Sequence, residues 1–158
     1  MTITVREKEL SAVGISVAAG CKACTNYHVK AARKAGASDE EIAQSVDVAL
    51  SVRALATEVM RNHASSRLGE TEPVATPDFS EGERSRVKEL VSVGAAFGVN
   101  CVSTLENHLA AAATVGITQE EIAEIVRLAM MIKERAASHV ERLCDVEKEV
   151  HADSPLAE

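Results

Sequence analysis

The chain has 158 residues, 46% of them hydrophobic and 26% charged, enough for one compact unit and too few for two independent domains of ordinary size. Its net charge of −7 offers no basic surface to a phosphate backbone, and Tyr27, Phe79 and Phe97 are too few aromatics for a base-stacking platform, so nucleic acid is not an expected partner. The start, "MTITVREKEL", has no apolar segment behind its charges and no later run has the length to cross a bilayer, so no membrane association and a cytoplasmic location are expected.

In chain order, the first predicted helix covers about residues 4 to 18, with Leu10, Val13 and Val17 at helical spacing. A second begins near Cys21, runs to Ala35 and stops at Gly36, where a left-handed residue is wanted. A third opens with "SDEE", in which Ser38 and Glu41 form a capping box, and continues as an apolar stripe of Ile42, Val46, Ala49 and Leu50. A shift of 80 residues then lays "REKELSAVG" on "RVKELVSVG", Cys21 on Cys101, His28 on His108, Gly36 on Gly116 and "EEIA" on "EEIA" without a gap. Two such copies are too few for a solenoid and read as a pseudo-symmetric pair sharing one core. The first repeat is expected over 1–66, a Gly- and Pro-containing linker over 67–80, the second repeat over 81–150 and a tail over 151–158. "SEGE" at 80–83 is the candidate cap of the fourth helix, and "TQEE", with Thr118 and Glu121, repeats the capping box. Val and Ile never alternate as in a strand, so the expected class is all-α, with about three helices per repeat.

The stretch "CKACTNYH" holds the chemistry. Cys21, Cys24 and His28 stand at i, i+3 and i+7, on one helical face, and both cysteines lie at the start of the helix, where free N–H groups and the macrodipole favour a thiolate. His28 is four residues from Cys24, a rise of about 6 Å, and seven from Cys21, about 10 Å, so the base sits beside Cys24. Cys24 is therefore the expected attacking thiol and Cys21 its resolving partner, their Cα atoms roughly 5–6 Å apart if bridged. A c-type haem site is excluded because Thr25, not His, follows the second Cys. Zinc is the standing rival, since Cys21, Cys24 and His28 supply three ligands on one face.

With Glu9 twelve residues before Cys21, the first copy reads Glu-x11-Cys-x-x-Cys-x-x-x-His. This pattern resembles the active-site signature of the AhpD-like branch of the carboxymuconolactone decarboxylase superfamily, and the resemblance covers both repeats. It implies an AhpD-like helical fold and a thiol-dependent alkylhydroperoxidase or disulfide reductase. In it Cys24 attacks the peroxide, Cys21 forms the disulfide, His28 is the base and Glu9 orients the relay. It implies no cofactor, a hydroperoxide substrate and a lipoyl-bearing or thioredoxin-like protein as reductant. Single-repeat members commonly form hexamers, so a fused pair is expected as a homotrimer. AhpD carries a second His immediately before its second Cys, where this chain has Ala23. The lactone decarboxylases of the superfamily do not depend on a Cys-x-x-Cys pair and fit less well.

The second copy keeps Cys101, His108 and Glu89 but has Thr104 in place of the second Cys, so it reads as a degenerate structural site, with Glu89 as a helix-surface acid. Cys144 is expected to pack, and His63, His139 and His151 to be surface or packing residues. Tyr27 is assigned to the pocket lining or to the core.

Overall fold

The computed structural model describes residues 2–69 and 84–144, and these form six α-helices with no strand among them. They are α1 (Val5–Ala18), α2 (Lys22–Lys34), α3 (Asp39–Arg67), α4 (Arg86–Gly98), α5 (Val102–Thr114) and α6 (Gln119–Cys144). The all-α expectation holds among the described residues, with three helices before position 70 and three after position 83.

Local chemistry sets the helix ends. Thr4 caps α1 in a reciprocal box with Glu7, and Ser38 and Glu41 do the same for α3. At α6, Thr118 N donates to Glu121 Oε2 at 2.9 Å while Glu121 N donates to Thr118 Oγ1 at 3.3 Å. The cap of α4 is Ser85, whose hydroxyl accepts from Lys88 N. The expected cap at 80–83 lies outside the described residues, as do 70–80 of the expected linker, the 151–158 tail and His151.

The two long helices α3 and α6 each pack against both α1 and α4, while α2 lies on α1 and α5 on α4. The arrangement repeats the 80-residue sequence relationship in space. At its centre α1 and α4 cross with almost no side chain between them. A Cβ on Gly14 would stand 2.5 Å from Val91 Cγ1, and one on Gly94 would stand 2.6 Å from Ile15 Cγ1. Around this crossing the buried residues are small or aliphatic, among them Ala12, Val13, Ile15, Ala95, Ala96 and Ile125. With no aromatic among its buried residues and only the half-buried Phe97 packed against it, the core is filled by bringing backbones close together. Leu50, placed on the apolar stripe of the third helix, is instead 50% exposed, because the flank that α3 buries carries Ile42, Ser45, Ala49, Val52 and Ala56, with Val46 half-buried beside it.

Ion pairs repeat with the helices. Arg6 of α1 pairs with Glu41 of α3, and Arg86 of α4 pairs with Glu121 of α6 at 2.5 Å while its Nε donates to Glu7 at 2.8 Å. The hydrogen bond from Arg86 holds the Glu121 carboxyl down to about 2, and burial opposes it. For Glu7 burial works against the charge, yet hydrogen bonds from Thr4 and Arg86 leave its carboxyl below its ordinary range.

Candidate active site

The turn between α1 and α2 fixes the cysteine pair. α1 ends with Cys21 N donating to Ser16 O at 3.0 Å and Gly20 N to Val17 O at 3.1 Å, with Gly20 at φ +72°, the left-handed conformation this termination requires. Arg53 of α3 reaches the same helix end and donates to Val17 O and Ala18 O. Cys21 is thus the last anchored residue of α1 and also the N-cap of α2, its Sγ accepting from Cys24 N at 3.1 Å. One residue welded into both helices leaves the sulphur little freedom. Cys21 and Cys24 are joined in a disulfide with Cα atoms 5.3 Å apart, within the expected span.

His28, one turn further along α2, has its Nδ1 2.8 Å from Glu9 Oε2 of α1. The carboxylate holds one ring nitrogen and leaves Nε2 as the other proton-handling position. Glu9, Cys21, Cys24 and His28, the four residues singled out in sequence, are therefore brought together by the packing of α2 on α1. Cys24 and His28 line a cavity of about 550 Å³ whose opposite wall is α6, with Leu128, Met131, Ile132, Arg135 and His139. Tyr27 also lines it, 67% exposed, its ring edge-on to His28 with centroids 5.0 Å apart.

The far wall corrects two sequence readings. His139, read as a surface or packing residue, lies with Cys21 and Cys24 such that a ligand atom of each is within 4.8 Å of the other two. That group, found among the described residues, replaces the Cys21, Cys24 and His28 set as the candidate for a metal. Nothing in the local sequence of α6 marks His139, since it becomes a neighbour of the cysteines only when the second copy packs on the first. A signal did exist in the repeat alignment, where His139 and Arg135 fall on Val59 and Leu55.

In the second copy the same framework is sealed. His108 Nδ1 lies 3.0 Å from Glu89 Oε2, but Glu89 is 2% exposed, so it is a buried partner and not the helix-surface acid expected. The charge pattern of α4 could not reveal this, because the partner is 19 residues away on α5. Cys101 and Thr104 are buried, and Thr104 Oγ1 donates to Cys101 Sγ at 3.0 Å. His108 Nε2 is buried with no hydrogen-bond partner among the described residues. Cys144, expected to pack, is exposed near the end of α6, while His63 is exposed as expected.

Compared with known protein families, the chain matches the carboxymuconolactone decarboxylase family over residues 2–61 and again over 78–152, one match for each copy. No curated protein and no solved structure matches it.

Proposed function

The chain belongs to the carboxymuconolactone decarboxylase family, and from that premise we propose that it is a thiol-dependent alkylhydroperoxidase or disulfide reductase cycling between the Cys21–Cys24 dithiol and disulfide. The observation that carries this reading is the disulfide itself, set in the wall shared with a Glu9–His28 pair and open to a cavity large enough for an organic substrate.

His28, oriented by Glu9, takes the Cys24 proton. The thiolate attacks the distal peroxide oxygen, the O–O bond breaks, and the alkoxide leaves as the alcohol after taking a proton back. Cys24 is then a sulfenic acid. The Cys21 thiol attacks that sulphur, water departs, and the disulfide forms. An external dithiol, lipoyl-bearing or thioredoxin-like, reduces it by exchange and is itself oxidised. The three-residue spacing across the first turn of α2 supports the second step, because Cys21 already stands within bonding reach.

A homotrimer and a cytoplasmic setting complete the proposal. Support for assembly comes from Val5, Met60, Met130, Met131 and Val140, large apolar side chains left exposed on one chain. No helix among the described residues is long and apolar enough to cross a membrane. The test is a thiol titration of reduced protein before and after one equivalent of hydroperoxide, with peptide mapping. Loss of two thiols per chain and a Cys21–Cys24 bridge is expected; free Cys21 and Cys24 with unconsumed peroxide overturns the enzyme reading.

A further inference from the structure

Outside the Glu9–His28 pair, one reactive side chain faces the two sulphurs without a task. His139 comes from α6, half-buried in the cavity wall, and has no hydrogen-bond partner among the described residues. The histidines that stand in the two Glu–Cys–His frameworks, His28 and His108, each have Nδ1 committed to a glutamate. His139 therefore presents a ring with both nitrogens uncommitted, in a mutual group with Cys21 Sγ and Cys24 Sγ no wider than 4.8 Å.

We propose that in the reduced protein Cys21, Cys24 and His139 form an open three-ligand site for a thiophilic divalent cation of the zinc type, and that its occupancy holds the dithiol reduced. Bonds of about 2.3 Å to sulphur and 2.0–2.1 Å to imidazole place the ligand atoms of tetrahedral zinc some 3.5–3.8 Å apart, inside the observed envelope once the disulfide is opened. The Cα separation of 5.3 Å needs no backbone change for this. Two thiolates and one neutral imidazole leave the complex neutral, and the fourth position faces the cavity, where water can fill it. The amide of Cys24, which donates to Cys21 Sγ, supplies the N–H···S contact that orients a thiolate ligand.

The two copies offer an internal comparison. The second keeps the counterparts of Glu9, Cys21 and His28 as Glu89, Cys101 and His108, but the counterparts of Cys24 and His139 are Thr104 and Val59. The two ligands are absent together, from different helices, while the glutamate–histidine pair persists. Cys24 and His139 behave as one functional set that the Glu–His pair does not belong to.

Binding exchanges two thiol protons for one cation and changes no oxidation state. Because both sulphurs are spoken for, the same dithiol cannot simultaneously be a metal ligand set and a disulfide. The site is thereby a lock on the proposed redox cycle, and it rests on the dithiol–disulfide reading only for that consequence; the binding itself stands alone.

The experiment is anaerobic titration of the reduced full chain with Co²⁺ and then Zn²⁺, in a Cys101→Ser, Cys144→Ser background. One cobalt per chain is expected, with thiolate-to-metal charge transfer and a tetrahedral ligand-field envelope, displaced by Zn²⁺, and none in the disulfide form. His139→Ala should weaken binding at least about a hundredfold, beyond the effect of an outer partner. His139→Cys should restore it, and His28→Ala should not reproduce the loss. No stoichiometric binding by the reduced chain, or equal affinity in His139→Ala, overturns the site. Zinc-loaded protein that forms the disulfide with peroxide as fast as metal-free protein overturns the lock. Peroxide inertness of metal-free protein would sink the peroxidase reading and leave the titration standing.

Discussion

Thr104 Oγ1 donates to Cys101 Sγ at 3.0 Å, in the place where Cys24 closes a covalent bond to Cys21 in the other copy. A hydroxyl at that position keeps the contact and removes the chemistry.

Thr104→Cys should therefore create a second oxidisable pair, since Cys101 caps α5 with φ −99° and ψ 105°, close to the −94° and 98° of Cys21. In the same series Cys24→Ser should reduce peroxide-dependent turnover to background, and Cys101→Ser should leave most of it. Disulfide mapping and turnover of the three variants decide the matter. If Cys101→Ser is as damaging as Cys24→Ser in a folded protein, the sealed copy takes part in the reaction.

Removal of the base should cost about 10²-fold or more in kcat/KM for His28→Ala, the usual scale of a positioned proton-transfer group. Glu9→Gln keeps a side chain of the same size at the 2.8 Å contact but no longer fixes the ring by charge, and a smaller loss is expected. Steady-state kinetics with an alkyl hydroperoxide and a dithiol reductant measure both. Equal, full activity in the two variants would remove the pair from the mechanism.

Gly14→Ala should destabilise the fold by about 1–3 kcal/mol, because its Cβ meets Val91 Cγ1, part of a β-branched side chain that cannot swing aside. Val91→Ala opens a small space at the same crossing. In the double variant the two effects should compensate, giving less total loss than their sum in urea unfolding. Strict additivity would show that the helices separate elsewhere.

The pH profile follows from Glu121. Its folded carboxyl is held down to about 2 against an ordinary 4.5, first by the hydrogen bond from Arg86, so it contributes stability that is fully present above about 4.5. That contribution is lost as pH falls from there toward about 2. Arg86→Met removes the partner and strands a carboxylate that is 2% exposed, so the acid unfolding midpoint followed by circular dichroism should rise, and stability near neutral pH should drop by a few kcal/mol. An unchanged acid midpoint would mean that Thr118 alone holds the charge.

Much of this was readable in the chain because it is local. The capping boxes at Ser38 and Thr118, the stop at Gly36 and the one-face alignment of Cys21, Cys24 and His28 all depend on residues within two turns of one another, where spacing settles geometry. The place of His139 depends on where a helix of one copy lands on the other, and 111 positions separate it from His28 in sequence. Glu89 misled for a related reason: a carboxylate on a helix reads as solvated unless its buried partner is already known. Cys144 is expected to pack on its type, yet it stands exposed as the last residue of α6.

The cavity over Cys24 is closed by a helix that the signature-bearing half does not encode. The copy without a second cysteine is therefore not dispensable, because its α6 supplies one wall of the pocket over Cys24. A fragment ending at Gly69 would carry every residue of the signature and no completed pocket. Co-expressing it with a fragment beginning at Arg84 should restore one, turning the pair of repeats into a complementation assay in which neither half works unaided.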